Sequence, residues 1–517
     1  MSTRAVNRRE FITSGCTLAS ATLLGAAGCV SDNPVAPIPS AGAGSQRGRT
    51  EPIDGDLAEP RVIASVGGVL TATITASTNP AVVGGRHAKQ AVTYDGTFPG
   101  PTLWVRGGDT VDLTFVNKIV FGQADEKRGY GRPPRVANMA NLHYHGMHVS
   151  PIGSADNMLV MVSPRDTHHY SFQVPLDHPA GLFWYHEHVH GLVTNHVSRG
   201  AAGLLYVANS HTDLVAGLGI RRRMMLLQQA YFEEDLHTLI SDDGERDDPE
   251  RALSLINGQR MPEIHMRPGE VQVWSLCNAS SSAFYQLRAA SHTFDVIAVD
   301  GIPLVAPGLR QQDRLVLASG NRCEVVVRAS ATIGRYTMSY ESYNQGVDTW
   351  PQKDIATIVV AGTPWQGPNH PGVDTSTPVD DLSAAYVPVE RQRTIVLGMN
   401  EEVPEGEFGR FTINGHPWDP NYSEWTSTLD TVEEWLIVNE TEQEHPMHVH
   451  VNPFQVTKRN GSAVPFTGYY DTAIVPRFGS ITVRTRFTDF TGGPVLMHCH
   501  ILDHEDMGMM IRFEIVA

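Results

Sequence analysis

Cysteine, charge and long apolar runs are all scarce in this sequence, and each shortage closes a route. Five cysteines in 517 residues are too few for a disulfide scaffold. Charged side chains make up 18% of the chain against 41% hydrophobic, which excludes a largely disordered or fibrous protein. Basic residues are the minority charge, 39 against 56 acidic. The resulting net charge of −17 argues against nucleic acid as a partner, because phosphates demand a basic surface. No apolar run reaches the ~18 residues needed to span a bilayer, so no transmembrane helix is expected. Amphipathic helical runs are few. At ~100–200 residues per domain, the length leaves room for two to four domains. One residue type is abundant: there are 23 histidines, many clustered with cysteine and methionine.

Residues 1–29 read as an address rather than a fold. Asn7-Arg8-Arg9-Glu10-Phe11-Ile12 precedes a small, apolar stretch from Thr17 to Gly28. Paired arginines followed by Phe-Ile resemble the twin-arginine signals of bacterial export. Ala26-Ala27-Gly28-Cys29 resembles a relaxed lipobox, with Ala where Leu is usual, in which Cys29 would carry a lipid anchor. Residues 30–60 are rich in Pro, Gly, Ala and Ser without periodicity and read as a flexible tether. An exported protein is expected, in the periplasm or at the outer cell surface.

Beyond residue 60 the pattern is short strands punctuated by Gly, Pro and Asn, which predicts an all-β protein. Three ten-residue strands resemble one another: Gly108 to Asn117, Gly269 to Asn278 and Asp430 to Asn439. Their asparagines are 161 residues apart each time. A second triplet starts at Gly181, Gly334 and Gly493. So long a period excludes a solenoid and predicts three tandem β-sandwich domains, placed at 61–212, 213–365 and 366–517. Cys277 and Cys323 could pair, but both lie in strand-like runs and read better as buried thiols.

The repeats differ in chemistry. Five residues after the shared glycine, the first unit has His186-Glu187-His188 and the third His498-Cys499-His500. The middle unit has Ser339-Tyr340-Glu341 there, so whatever the histidines bind lies between the outer units. Two further clusters are His143-Tyr144-His145-Gly146 and His445-Pro446-Met447-His448-Val449-His450. On a strand, His-x-His puts two imidazoles on one face, which is half a metal site. In His498-Cys499-His500 the same alternation turns Cys499 the other way, toward a second site back to back with the first. A thiolate, two histidines and a weak axial methionine form the blue-copper arrangement. His504 and Met509 are expected on the loop after that strand, and His445 on its neighbour. His148, His168, His169, His190 and His196 read as structural or surface histidines.

These four clusters resemble the copper-binding motifs of the three-domain, laccase-like multicopper oxidases. The pattern His-Cys-His-x-x-x-His-x-x-x-Gly-Met, from His498 to Met509, carries the resemblance most specifically. It implies three tandem cupredoxin-like Greek-key β-sandwiches and four copper ions that reduce dioxygen to water. By motif, the type 1 copper would take His445, Cys499 and His504 with Met509 axial, and the type 2 copper His143 and His448. The type 3 pair would take His145, His186 and His500 on one ion, and His188, His450 and His498 on the other. Asp156 lies where laccases carry an acid near the type 2 copper. Glu505 lies where some bacterial members have one. Both are expected to serve proton transfer.

The donor is expected to be a small organic reductant, a phenol first. The periplasmic cuprous oxidases of this family carry a methionine-rich segment before the third domain, and there is no methionine between Gly362 and Gly398. They also carry Asp and Met four and two places before the type 1 histidine, where this chain has Thr441 and Gln443. Met139, Met147, Met158 and Met161 near the first cluster are the reservation. A copper-free structural protein of the same fold is disfavoured because every ligand position is filled. A two-domain nitrite reductase does not fit a threefold repeat, and a zinc hydrolase has no use for Cys499 or Met509.

Overall fold

The computed structural model describes residues 55–121, 138–241, 249–305, 311–372, 374–377 and 379–517. The signal, the lipobox with Cys29 and most of the tether lie outside the described residues. Residues 55–60 belong to the stretch read as a tether, yet they are anchored. Leu57 is buried in the core of the middle repeat, and its N–H donates to Glu263 O at 2.8 Å. A leucine with somewhere apolar to go overrides the loop-like composition around it.

Each repeat folds as two facing sheets. In the first, a four-stranded sheet (Arg86–Tyr94, Val69–Val83, Thr110–Lys118, Thr167–Gln173) faces a five-stranded sheet ending in Gly181–His186 and His143–His145. The third repeat does the same. A six-stranded sheet is built round Arg391–Met399 and Val432–Asn439, and a five-stranded sheet contains Pro494–Cys499 and His445–Val449. The middle repeat has an eight-stranded and a five-stranded sheet. In all three, the strand ending in the shared asparagine pairs parallel with one neighbour and antiparallel with the next. Such mixed pairing needs crossover connections, as in a Greek key. Among the described residues the only helices are Val193–Val197, Ser210–Gly217 and Leu502–Asp506.

The repeated asparagines have a shared physical job. Each closes the loop that follows its strand. The side-chain oxygen accepts the N–H two residues on, from Ile119 (2.9 Å), Ser280 (3.0 Å) and Thr441 (2.9 Å). The amide donates to nearby carbonyls: Asn138 and Val162 in the first repeat, Ala283 and Leu317 in the second, and Gln443, Val475 and Pro476 in the third. A buried loop leaves backbone groups that only such a side chain can satisfy.

Cys277 and Cys323 form no disulfide. Cys323 is registered opposite Leu276, so Cys277, one residue on, points to the other face. Cys323 lies in the middle core, while Cys277 packs with Trp184 and Tyr206 against the first repeat.

Replacing Asn278 with Ala would leave the Leu317 carbonyl and the Ser280 N–H without their partner in the interior. At about 1–3 kcal/mol per unsatisfied group, the loss is expected to exceed about 2 kcal/mol. The midpoint of denaturant unfolding measures it, and an unmoved midpoint would mean water repairs the loop.

Candidate metal centres

The two outer repeats meet along a seam of imidazoles. In the first, His143–His145 runs antiparallel beside Gly181–His186, with His143 opposite His186. In the third, His445–Val449 runs antiparallel beside Pro494–Cys499, with His448 opposite His498. Strand alternation then sends His143 and His145, and His498 and His500, into the seam. All eight of His143, His145, His186, His188, His448, His450, His498 and His500 are buried there. His188 Nε2 and His450 Nε2 lie 3.2 and 3.1 Å from His498 Nε2, and His145 Nδ1 lies 3.2 Å from His500 Nε2.

The outward nitrogen of almost every ring is held from behind. Nδ1 of His143 faces Asp156 Oδ2 (2.9 Å), and Nδ1 of His186, His448 and His498 donates to the carbonyls of Glu187, Asp471 and Cys499. Glu505 lies 3.4 Å from His188 Nδ1 and 3.1 Å from His498 Nδ1, and Ser319 Oγ lies 3.3 Å from His500 Nδ1. His145 is reversed: its Nε2 meets Asp471 Oδ1 at 3.2 Å, which leaves Nδ1 facing the seam. Such partners fix which nitrogen is offered to a metal.

The set fits metal ions. Burial lowers the pKa of all eight rings, to about 4 for His188 and His498, so they are neutral and able to ligate. Nε2 of His143, His186 and His448 is buried with no hydrogen-bond partner among the described residues. Lone pairs so crowded lack protons to share, and a cation is what satisfies them.

The second cluster lies on the other face of the same strand. Cys499 Sγ is 3.5 Å from His445 Nδ1 and 3.7 Å from His504 Nδ1, and those two nitrogens are 3.2 Å apart. Thr441 Oγ1 lies 2.7 Å from His445 Nε2 and so keeps Nδ1 for the cluster, while Phe411 stacks on His504 at 3.9 Å. Ile501 N–H points at the sulfur (3.4 Å). Burial raises the thiol pKa, and a bound cation would reverse that. His504 lies on the five-residue helix Leu502–Asp506, not on the loop expected from the sequence. Met509 is fully buried in the same core, and its carbonyl accepts the Cys499 N–H at 3.1 Å.

Both acids singled out in the sequence lie beside these rings. Asp156 accepts the Tyr144 N–H at 2.9 Å as well as facing His143, and burial raises its pKa to about 7. Glu505 is fully buried and also raised by burial to about 7. Of the histidines set aside, His148 bonds Val451 O and Asp489, His169 bonds Asp112 at the surface, and His196 lies 3.3 Å from Glu187. Three supporting residues were not foreseen: Ser319, Asp471 and Arg322. The only sequence trace of Asp471 and Arg322 is Gly146, directly after His145. A Cβ there would overlap both Arg322 and Asp471.

Comparison with known proteins places the chain. Three multicopper oxidase family models match it, at residues 75–124 with 135–212, at 184–362 and at 388–517. A multicopper oxidase of Staphylococcus haemolyticus is 24% identical over 434 residues, covering 82% of this chain and 83% of that protein. A laccase of Haloferax volcanii is 26% identical over 476 residues, covering 81% and 77%. The solved multicopper oxidase of Campylobacter jejuni, a metallo-oxidase, superposes with a TM-score of 0.73 at 22% identity, covering 89% of this chain and 95% of that one. The family models together span most of the sequence, and this chain belongs to the multicopper oxidases.

Proposed function

We propose that the protein couples one-electron oxidation of phenolic or related organic donors to the four-electron reduction of dioxygen to water. One observation carries the reading: a buried thiol–imidazole triad and an eight-imidazole nest are joined by the single peptide run His498-Cys499-His500. Four coppers, one type 1, one type 2 and a type 3 pair, would supply one-electron chemistry and storage for four electrons. His445, Cys499, His504 and axial Met509 would hold type 1, and His143 and His448 type 2. His145, His186 and His500 would hold one type 3 ion, and His188, His450 and His498 the other.

The chain's own residues divide the remaining work. Each dioxygen reduced to two waters consumes four protons. Asp156, at Oδ2, and Glu505, at its two carboxylate oxygens, can hold a proton beside the nest near neutral pH. Their burial keeps bulk water away from the rings. The donor would deliver its electron over His504, where a cavity of about 210 Å³ reaches the ring. The signal-like residues 7–12 and 26–29 support export to the periplasm or outer cell surface, with Cys29 as a lipid anchor.

A second reading has a specific observation behind it. Met399, Met507, Glu405 and Asp503 also line that cavity, and thioethers with carboxylates suit Cu(I). Against it, Thr441 is buried and tied to His445. Met147 and Met158 are core residues, and of the four methionines near the first cluster only Met161 is exposed. The laccase similarity favours organic donors, and the metallo-oxidase likeness rests on fold alone.

Cys499→Ser is expected to abolish the intense visible absorption, which comes from thiolate-to-copper charge transfer, while the nest still loads metal. A blue Cys499→Ser protein would sink the type 1 assignment. Asp156→Asn keeps an acceptor for the Tyr144 N–H but carries no acid proton. Stopped-flow is expected to show reduction by donor unchanged and reoxidation by dioxygen slowed about 100-fold. Slowing of the reduction half alone would instead assign Asp156 to the donor. Oxygen uptake on phenols, aromatic amines, bilirubin and Cu(I) decides between donors, and a Cu(I) efficiency far above any phenol overturns the organic reading.

A further inference from the structure

We infer that Arg322, from the repeat that supplies no histidine to the nest, is a positioning residue for the type 2 ligand His448 and the neighbouring type 3 ligand His145 and acts through Asp471. The inference rests on the type 2 and type 3 assignments proposed above.

The geometry is a fork gripping a carboxylate. Arg322 is fully buried, and its two terminal nitrogens reach both oxygens of Asp471, Nη1 to Oδ1 at 2.8 Å and Nη2 to Oδ2. Its remaining donors are spent on the carbonyls of Gly320 (3.1 Å), Asp300 (3.1 Å) and Leu182 (3.4 Å). One side chain therefore ties all three repeats together. The gripped carboxylate faces two rings. Asp471 Oδ1 lies 3.2 Å from His145 Nε2 and 3.5 Å from His448 Nδ1, and the Asp471 carbonyl takes the His448 Nδ1–H at 2.9 Å. Thr472 Oγ1, within 3.4 Å of both rings, donates to the same oxygen at 2.8 Å. Asp300 completes the frame by accepting the N–H groups of Asp471 and Thr472 at 3.3 and 3.2 Å.

Stability alone is a poor reason for this arrangement. A buried ion pair costs heavily in desolvation, and well-packed apolar residues often serve as well or better. What the pair does that apolar residues cannot is fix a carboxylate oxygen in place against His145 Nε2. That contact reverses His145 relative to the other rings and leaves Nδ1 for the metal, 3.2 Å from His500 Nε2. Arg is the residue for this because its planar fork matches both carboxylate oxygens, whereas Lys offers one mobile point charge. Gly146 makes room for the grip, with φ +84° and no Cβ to overlap Arg322 or Asp471.

The test uses the copper-loaded full chain. Arg322→Met and Arg322→Lys are compared with wild type by type 2 electron paramagnetic resonance, by chelator competition for the type 2 ion and by the blue absorption of the Cys499 site. Outer partners of metal ligands are worth about 10–100-fold in metal affinity. The expected result is a loss of that order for Arg322→Met, a smaller loss for Arg322→Lys, and a shifted type 2 hyperfine splitting in both. The blue band should be unchanged. If Arg322→Met does not fold, Arg322→Lys decides, since it keeps the charge. Type 2 spectra and affinity equal to wild type, with only thermal stability lowered, would reduce Arg322 to an interdomain tie and overturn the inference. A wild-type protein with no type 2 signal would instead sink the copper assignment on which it rests.

Discussion

Everything in this molecule is arranged around lone pairs that have no protons to meet. Eight neutral imidazoles are packed into one buried seam, where His498 Nε2 lies 3.1–3.2 Å from nitrogens of His188 and His450, and His145 Nδ1 lies 3.2 Å from His500 Nε2. Rings in water would protonate or turn away. Here burial suppresses the charged form, and a hydrogen bond behind almost every ring forbids turning. Neutral imidazoles held this way offer their lone pairs to cations. Metal affinity and folding are coupled by that constraint.

The constraint explains why the nest histidines lie on strands or within two residues of a strand end, along a domain seam. A strand fixes side-chain direction to one face or the other, so neighbouring residues can serve two sites without sharing space. Cys499 and its flanking histidines use this directly. The helix Leu502–Asp506 repeats the economy: His504 faces the thiol, Glu505 backs His188 and His498, and Asp506 accepts N–H groups of Gly191 and Thr194 from the first repeat. Three successive side chains bind the two clusters and the two outer repeats into one body.

The parts legible in sequence were those written in local spacing. Period-2 alternation put the His-x-His pairs on one face and Cys499 on the other, and the structure has both. The triplicated strand with its terminal asparagine revealed the threefold architecture, because the same loop closure is needed at Asn117, Asn278 and Asn439. What stayed hidden depends on residues far apart in the chain. Asp471 meets His145 across 326 positions, and no local pattern marks an aspartate for that role. Leu57 was lost in a Pro- and Ser-rich stretch because composition says nothing about a distant apolar groove. His504 reads as loop in sequence because a single turn of helix leaves no periodicity to see.

The middle repeat shows why absence of ligands is not absence of function. Its strand at Gly334–Glu341 has no histidines, yet the turn leading into Arg322–Arg328 sets Ser319 and Gly320 against His500, and Arg322 grips Asp471 behind His145 and His448. Gly320, with φ +85°, lies so close to the His500 ring that a Cβ would be 2.7 Å from it. The middle repeat is therefore a wall and a clamp: it limits where His500 can lie, holds Asp471, and shields the seam from water. The two histidine-bearing repeats alone would leave that side of the nest open and His145 free to present either nitrogen. A third unit without ligands closes the site because its side chains are committed to holding the rings that the other two supply.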